Sequence, residues 1–101
     1  VPDYDLVLYE YYLTDKAGHN QNQEDAERVL KPLDEFLLQI IKKKRSSDTL
    51  VITSDHGNLE DLSTKTHTRN KVPLFVLGDN SKEFVGVKSL TDIKENMLKV
   101  L

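Results

Sequence analysis

The sequence predicts an α/β fold, a mainly parallel sheet flanked by helices. Three observations carry that expectation. Short apolar runs end in polar turns at residues 4–13, 49–54 and 72–78. A long amphipathic segment lies between the first two runs, and a shorter one closes the chain. A strand, a helix and a strand in succession are joined in nearly every case by a right-handed parallel crossover.

Residues 4–13 are rich in aromatic and branched side chains, with Leu6, Val7 and Leu8 in a row, the pattern of a strand buried on both faces. A polar stretch, Asn20 to Gln23, leads into the helix. Ala26, Val29, Leu30, Leu33, Leu37, Ile40 and Ile41 repeat at the spacing of one apolar helical face. Asn22 is the candidate N-cap, and Glu24 and Asp25 complement the helix dipole in the first turn. Lys42, Lys43, Lys44 and Arg45 close the far end, where cations are favoured. That basic run reads as a solvated last turn, with anion binding the alternative. Pro32 falls inside the helix, removes one hydrogen bond and is expected to kink it.

Ser46, Ser47 and Asp48 form a turn into the second strand, 49–54. With parallel connectivity the first two strands end at the same sheet edge, so Asp15 and Asp55 are expected side by side there, where open α/β sheets bind ligands. Residues 57–71 are polar and read as a loop over that edge. The third strand is 72–78, with Pro73 near its start, where proline is tolerated. A turn at 79–82, an extended piece at 84–87 and a final helix capped by Ser89 or Thr91 complete the chain. That helix carries Ile93, Met97, Leu98 and Leu101 on one side.

The 101 residues suffice for one domain with a modest core. A net charge of −3 and a pI of about 5.6 argue against a nucleic-acid partner. No apolar run approaches a membrane span and no signal-peptide pattern opens the chain, so a cytoplasmic location is expected. Without cysteine, any metal must be held by oxygen and imidazole.

Such ligands are concentrated in three places. Asp15 and His19 are four apart, a spacing that lets both reach one ion from a helical turn or tight loop. Asp55 and His56 adjoin at the end of an apolar run, and the turn at Gly57 can fan them towards two ions. His67 lies in the covering loop and completes the chain's 3 histidines. Two carboxylates and three imidazoles exceed what one tetrahedral ion takes and nearly serve two, the usual arrangement for phosphoryl transfer.

Asp15-x-x-x-His19, Thr53-Ser54-Asp55-His56-Gly57-Asn58 and Thr66-His67-Thr68-Arg69-Asn70-Lys71-Val72-Pro73-Leu74 closely resemble three successive motifs of the alkaline phosphatase superfamily. The nearest branch looks like the cofactor-independent phosphoglycerate mutases and related metalloenzyme domains. The resemblance runs from about Tyr4 to Leu101 and implies the C-terminal portion of an alkaline phosphatase-like catalytic domain, so 1–101 is expected to be a single, incomplete metalloenzyme domain. It implies two divalent ions, Mn or Zn, with Asp15, His19 and His67 on one and Asp55 and His56 on the other. It also implies a Ser or Thr nucleophile and a further Asp from a segment with no counterpart here. Thr14 and Ser54 adjoin the ligands but belong to the metal motifs, and read as strand-end hydrogen bonders.

Asn58 and Glu60 are candidates for orienting the imidazoles, with loop stabilisation the alternative. Lys16, Lys65, Lys71 and especially Arg69 are candidates to face a phosphate, or are solvated loop charges. The expected function is the metal-binding part of a two-metal phosphomutase or phosphatase acting on a small phosphorylated metabolite, inactive in isolation. A non-catalytic metal-binding module is the alternative, and a plain α/β domain with incidental histidines is the third. Open sheet edges would favour self-association.

Overall fold

The computed structural model describes residues 3–101. They fall into two compact units, one of residues up to 10 with 45–53 and 74–101, the other of 11–44 with 54–73.

In the first unit, β1 (Leu50–Thr53) pairs with β2 (Leu74–Leu77). The pairing is antiparallel, with Leu50 opposite Leu77, Val51 opposite Val76, Ile52 opposite Phe75 and Thr53 opposite Leu74. Two features close the entrance to this ribbon. The Arg45 guanidinium donates to Asp48 at 2.8 Å, and the Asp48 carboxylate accepts from the Arg45 backbone N–H at 3.0 Å. These bonds hold the Asp48 carboxyl down at about 2. Gly78, at φ 126°, follows β2 where a Cβ would run into the Asp48 backbone, so only glycine fits. A 3-10 turn, Ser81–Phe84, buries Phe84, the one large apolar side chain below the surface among the described residues. This turn touches both β2 and the last helix, here α3 (Thr91–Val100).

The second unit is built on two helices in contact, α1 (Leu13–Asn20) and α2 (Gln23–Lys43). Asn22 caps α2 as expected, its side-chain oxygen accepting from the N–H groups of Glu24 (2.9 Å) and Asp25 (3.2 Å). Gln21 takes the left-handed conformation that ends α1, at φ 53°. Ala17 and Ala26 are buried and Gly18 is closed in, so small residues let the polypeptide approach closely. The Tyr11 hydroxyl donates to the Val29 carbonyl at 2.8 Å. The α2 helix runs unbroken through Pro32.

Four expectations are corrected. Residues 4–12 form no strand, and α1 begins at Leu13. Leu6, Val7 and Leu8 lie open to solvent, Leu8 at 88% exposure. Apolar composition favours an extended chain, but a strand exists only where its backbone groups join a ladder, and residues 4–12 join no β-ladder. The mainly parallel sheet is accordingly not observed; among the described residues the sheet is one antiparallel pair. Residues 84–87 hold the end of the 3-10 turn rather than an extended piece. The final helix begins without a side-chain cap; instead the Asp92 carboxylate accepts from the N–H groups of Lys88 and Ser89.

Among the described residues no helix is long and apolar enough to cross a membrane. Apolar surface is nevertheless extensive: Tyr4, Leu6, Tyr12, Leu38 and Leu98 are all exposed large side chains.

Candidate metal centre

Every ligand candidate falls in the second unit. Asp15 and His19 come from α1, whose i, i+4 spacing sets both on one helical face. Asp55 and His56 open the segment 54–73, and His67 lies near its other end. An isolated antiparallel bridge, Gly57 with Thr68, brings the two ends of that loop together. The Thr68 N–H donates to the Gly57 carbonyl at 2.8 Å. A Cβ on Gly57 would collide with the Thr68 hydroxyl and the Glu60 carboxylate, so a side chain there would displace one of them.

Asp15 is the hub. Its Oδ2 lies 3.3 Å from His19 Nε2, and its Oδ1 lies 3.2 Å from His67 Nε2 and 3.6 Å from His56 Nε2. One ligand atom each from Asp15, His19 and His67 lies within 4.8 Å of the others. Donors bound at about 2.0–2.2 Å to one tetrahedral ion stand roughly 3.3 Å apart; each of the two shorter contacts has that spacing, though on different Asp15 oxygens. The rings of His56 and His67 stack with centroids 3.5 Å apart.

Two backbone carbonyls fix which nitrogens face inward. The Lys65 carbonyl accepts from His19 Nδ1, and the Gly57 carbonyl lies 3.2 Å from His56 Nδ1. A carbonyl cannot donate, so each Nδ1 carries the hydrogen and each Nε2 of the neutral ring turns a lone pair towards Asp15. Lone pairs converging on a carboxylate repel one another unless positive charge lies among them. This oxygen–imidazole donor set therefore fits a divalent ion.

Asn58 holds the hub in place. It is buried, at 4% exposure, and its amide donates to Asp15 Oδ1 at 2.8 Å and to the Asp15 carbonyl at 3.0 Å. That bond is the main reason the Asp15 carboxyl titrates below its ordinary range; burial opposes it, and positive charge among the imidazoles adds smaller lowering contributions. Asn58 Oδ1 is buried without a hydrogen-bond partner, against Gly18.

Sequence-derived roles are refined at several positions. Asp55 and His56 do not splay apart: His56 Nε2 is 3.5 Å from Asp55 Oδ1 and also faces Asp15. Asp55 is largely exposed, at 84% for its side chain. Asp15 arrives on a helix rather than at a strand end. Asn58 orients the carboxylate, not an imidazole. Glu60 touches no imidazole either; it accepts from the Asn58 N–H at 2.6 Å, from Asn70 Nδ2 at 3.1 Å and from the Thr68 hydroxyl. These bonds hold its carboxyl down at about 2, the Thr68 bond first among them. The Arg69 side chain is exposed and joins no ion pair among the described residues. Ser54 donates its hydroxyl to the His56 carbonyl at 2.8 Å. The Lys65 carbonyl and Gly18 were given no role by sequence, and Thr68 was named only as part of the motif around His67.

Residues 2–101 match the family described as the Metalloenzyme superfamily. The chain is 36% identical over 106 residues to the 2,3-bisphosphoglycerate-independent phosphoglycerate mutase of Clostridium botulinum (strain ATCC 19397 / Type A), covering 97% of this chain and 21% of that protein. It is 35% identical to the enzyme of the same name from Wolbachia pipientis wMel, covering 98% of this chain and 21% of the relative. The phosphopentomutase of Carboxydothermus hydrogenoformans is 40% identical over 85 residues, covering 84% and 20% respectively. The chain thus spans about a fifth of the length of these curated relatives. No solved structure matches.

Proposed function

Because the chain belongs to the Metalloenzyme superfamily, we propose that it is the divalent-metal-binding part of a two-metal phosphoryl-transfer enzyme acting on a small phosphorylated metabolite. The observation that carries this reading is the convergence of Asp15, His19 and His67 donor atoms within 4.8 Å. These three residues would hold one Mn or Zn ion, and Asp55 with His56 would contribute to a second. Bound there, such ions would neutralise charge on phosphoryl oxygens and lower the pKa of an attacking hydroxyl.

The chain's own residues supply the positioning. Asn58 keeps the Asp15 carboxylate ionised and aimed at the imidazoles. The Lys65 and Gly57 carbonyls hold His19 and His56 with Nε2 inward. The phosphomutase names of the relatives favour transfer over simple hydrolysis. A non-catalytic metal-binding module is the second reading, and it draws on Ser54: this hydroxyl, next to Asp55 in sequence, is engaged with the His56 carbonyl. On either reading the isolated 101 residues are expected to turn over no phosphomonoester.

Phosphorus NMR of inorganic phosphate with the manganese-loaded chain tests the proposal. Broadening of the phosphate line by the wild type beyond that from free manganese, abolished in Asp15→Asn, is expected. Equal broadening by both proteins would sink it.

A further inference from the structure

We infer that Glu60 is a positioning residue, a single carboxylate that anchors both Asp15 and His67 without touching either. The inference rests on the reading of these residues as metal ligands and goes beyond it by saying what holds them in register.

The geometry is a fork. One Glu60 oxygen accepts from the Asn58 N–H at 2.6 Å, and the side chain of that same Asn58 donates to Asp15 Oδ1 at 2.8 Å. The other oxygen accepts from the Thr68 hydroxyl and from Asn70 Nδ2 at 3.1 Å, and Thr68 is the residue after His67. Each ligand is therefore one residue removed from the same carboxylate. Asp15 comes from α1 and His67 from the far end of the 54–73 loop, so no regular element links them. The Gly57–Thr68 bridge is a single contact, too little to fix a loop end by itself. Thr68 Oγ1 also accepts from the Asn70 N–H at 3.2 Å, so the hydroxyl both donates to Glu60 and turns the chain after His67.

All three groups facing Glu60 are donors. A carboxylate has acceptors on both oxygens, whereas an amide of the same shape has an acceptor on one side only. Glu60→Gln must therefore set an NH2 group against a donor on one arm of the fork. Partners that orient metal ligands contribute about 10–100-fold in metal affinity.

Zinc titration by calorimetry, with imidazole nitrogen and carboxylate carbon NMR of the metal-free chain, tests the anchor. Glu60→Gln is expected to weaken zinc binding by about 10-fold or more, and to shift the His67 ring and Asp15 carboxyl signals together. Phe84, in the other unit, should be unmoved. Thr68→Val should weaken binding and Thr68→Ser, which keeps the hydroxyl, should restore it. Should Glu60→Gln fail to fold, the Thr68 pair decides alone. Wild-type zinc affinity in Glu60→Gln or in Thr68→Val overturns the anchor. If the wild-type chain takes no zinc, the metal reading fails and the spectra decide: coupled shifts at His67 and Asp15 support the anchor, and unmoved signals overturn it.

Discussion

The amide of Asn58 donates twice to Asp15, at 2.8 Å to the carboxylate and at 3.0 Å to the backbone carbonyl. One buried side chain thus ties the Asp-His-Gly-Asn segment to the helix that carries Asp15 and His19. A hydrogen bond to a charged acceptor contributes about 1.5–3 kcal/mol. Asn58→Ala is expected to lower the unfolding free energy by about 2 kcal/mol and to weaken metal binding. Denaturant unfolding of the metal-free protein checks the first part; an unchanged midpoint would mean that the bond is not formed in solution.

Gly18 faces that amide, and a methyl group there would overlap the Asn58 side chain. Alanine ordinarily improves a helix by about 1 kcal/mol over glycine. Here Asn58 is held at both ends and cannot yield, so overpacking, at about 1–3 kcal/mol, wins. Gly18→Ala should therefore destabilise the chain, and a stabilised variant would show that Asn58 moves freely.

Glu60 gives the loop a defined acid response. Its carboxyl is lowered from 4.5 to about 2 by the Thr68, Asn70 and Asn58 donors. A depressed carboxyl contributes stability above its unfolded pKa, and that contribution is lost as pH falls through the folded value. The window is therefore from about 4.5 down to about 2. Asp48, lowered from 3.8 to about 2 by Arg45, loses its contribution over nearly the same range. Unfolding measured against pH should show a shallower acid slope in Glu60→Gln, with the Asp48 share remaining. An unchanged slope would contradict the Glu60 bonds.

Asn22 accepts from two N–H groups at the start of α2. Asn22→Ala should cost about 1 kcal/mol, read as an earlier unfolding midpoint by circular dichroism at the helix band.

The helix from Gln23 to Lys43 was legible because its apolar spacing, its cap and its terminal charges agree. The strands at 50–53 and 74–77 were legible for a similar reason, as short branched runs bounded by turns. Tyr4 to Leu13 misled because residue types report a preference for extension, whereas pairing depends on a neighbour the local sequence does not specify. The antiparallel sense of the sheet was hidden by the same dependence. At the site, the liganding residue types marked Asp15, His19, His56 and His67 at once. That Asp15 stands among all three imidazoles was not legible, because it depends on how the helix from Leu13 packs against the loop of 54–73, a tertiary contact. The Glu60 fork depends on the loop closing at Gly57 and Thr68, a tertiary contact with no periodic signature.

The central claim is that Asp15, His19 and His67 together hold a divalent ion. Metal content after dialysis against zinc or manganese, compared between wild type and His67→Ala, tests it most directly. The account predicts about one tightly held ion per wild-type chain, consistent with one three-residue donor set, and its loss in the variant. Binding that survives His67→Ala undiminished, or a wild-type chain that retains no ion, would contradict it.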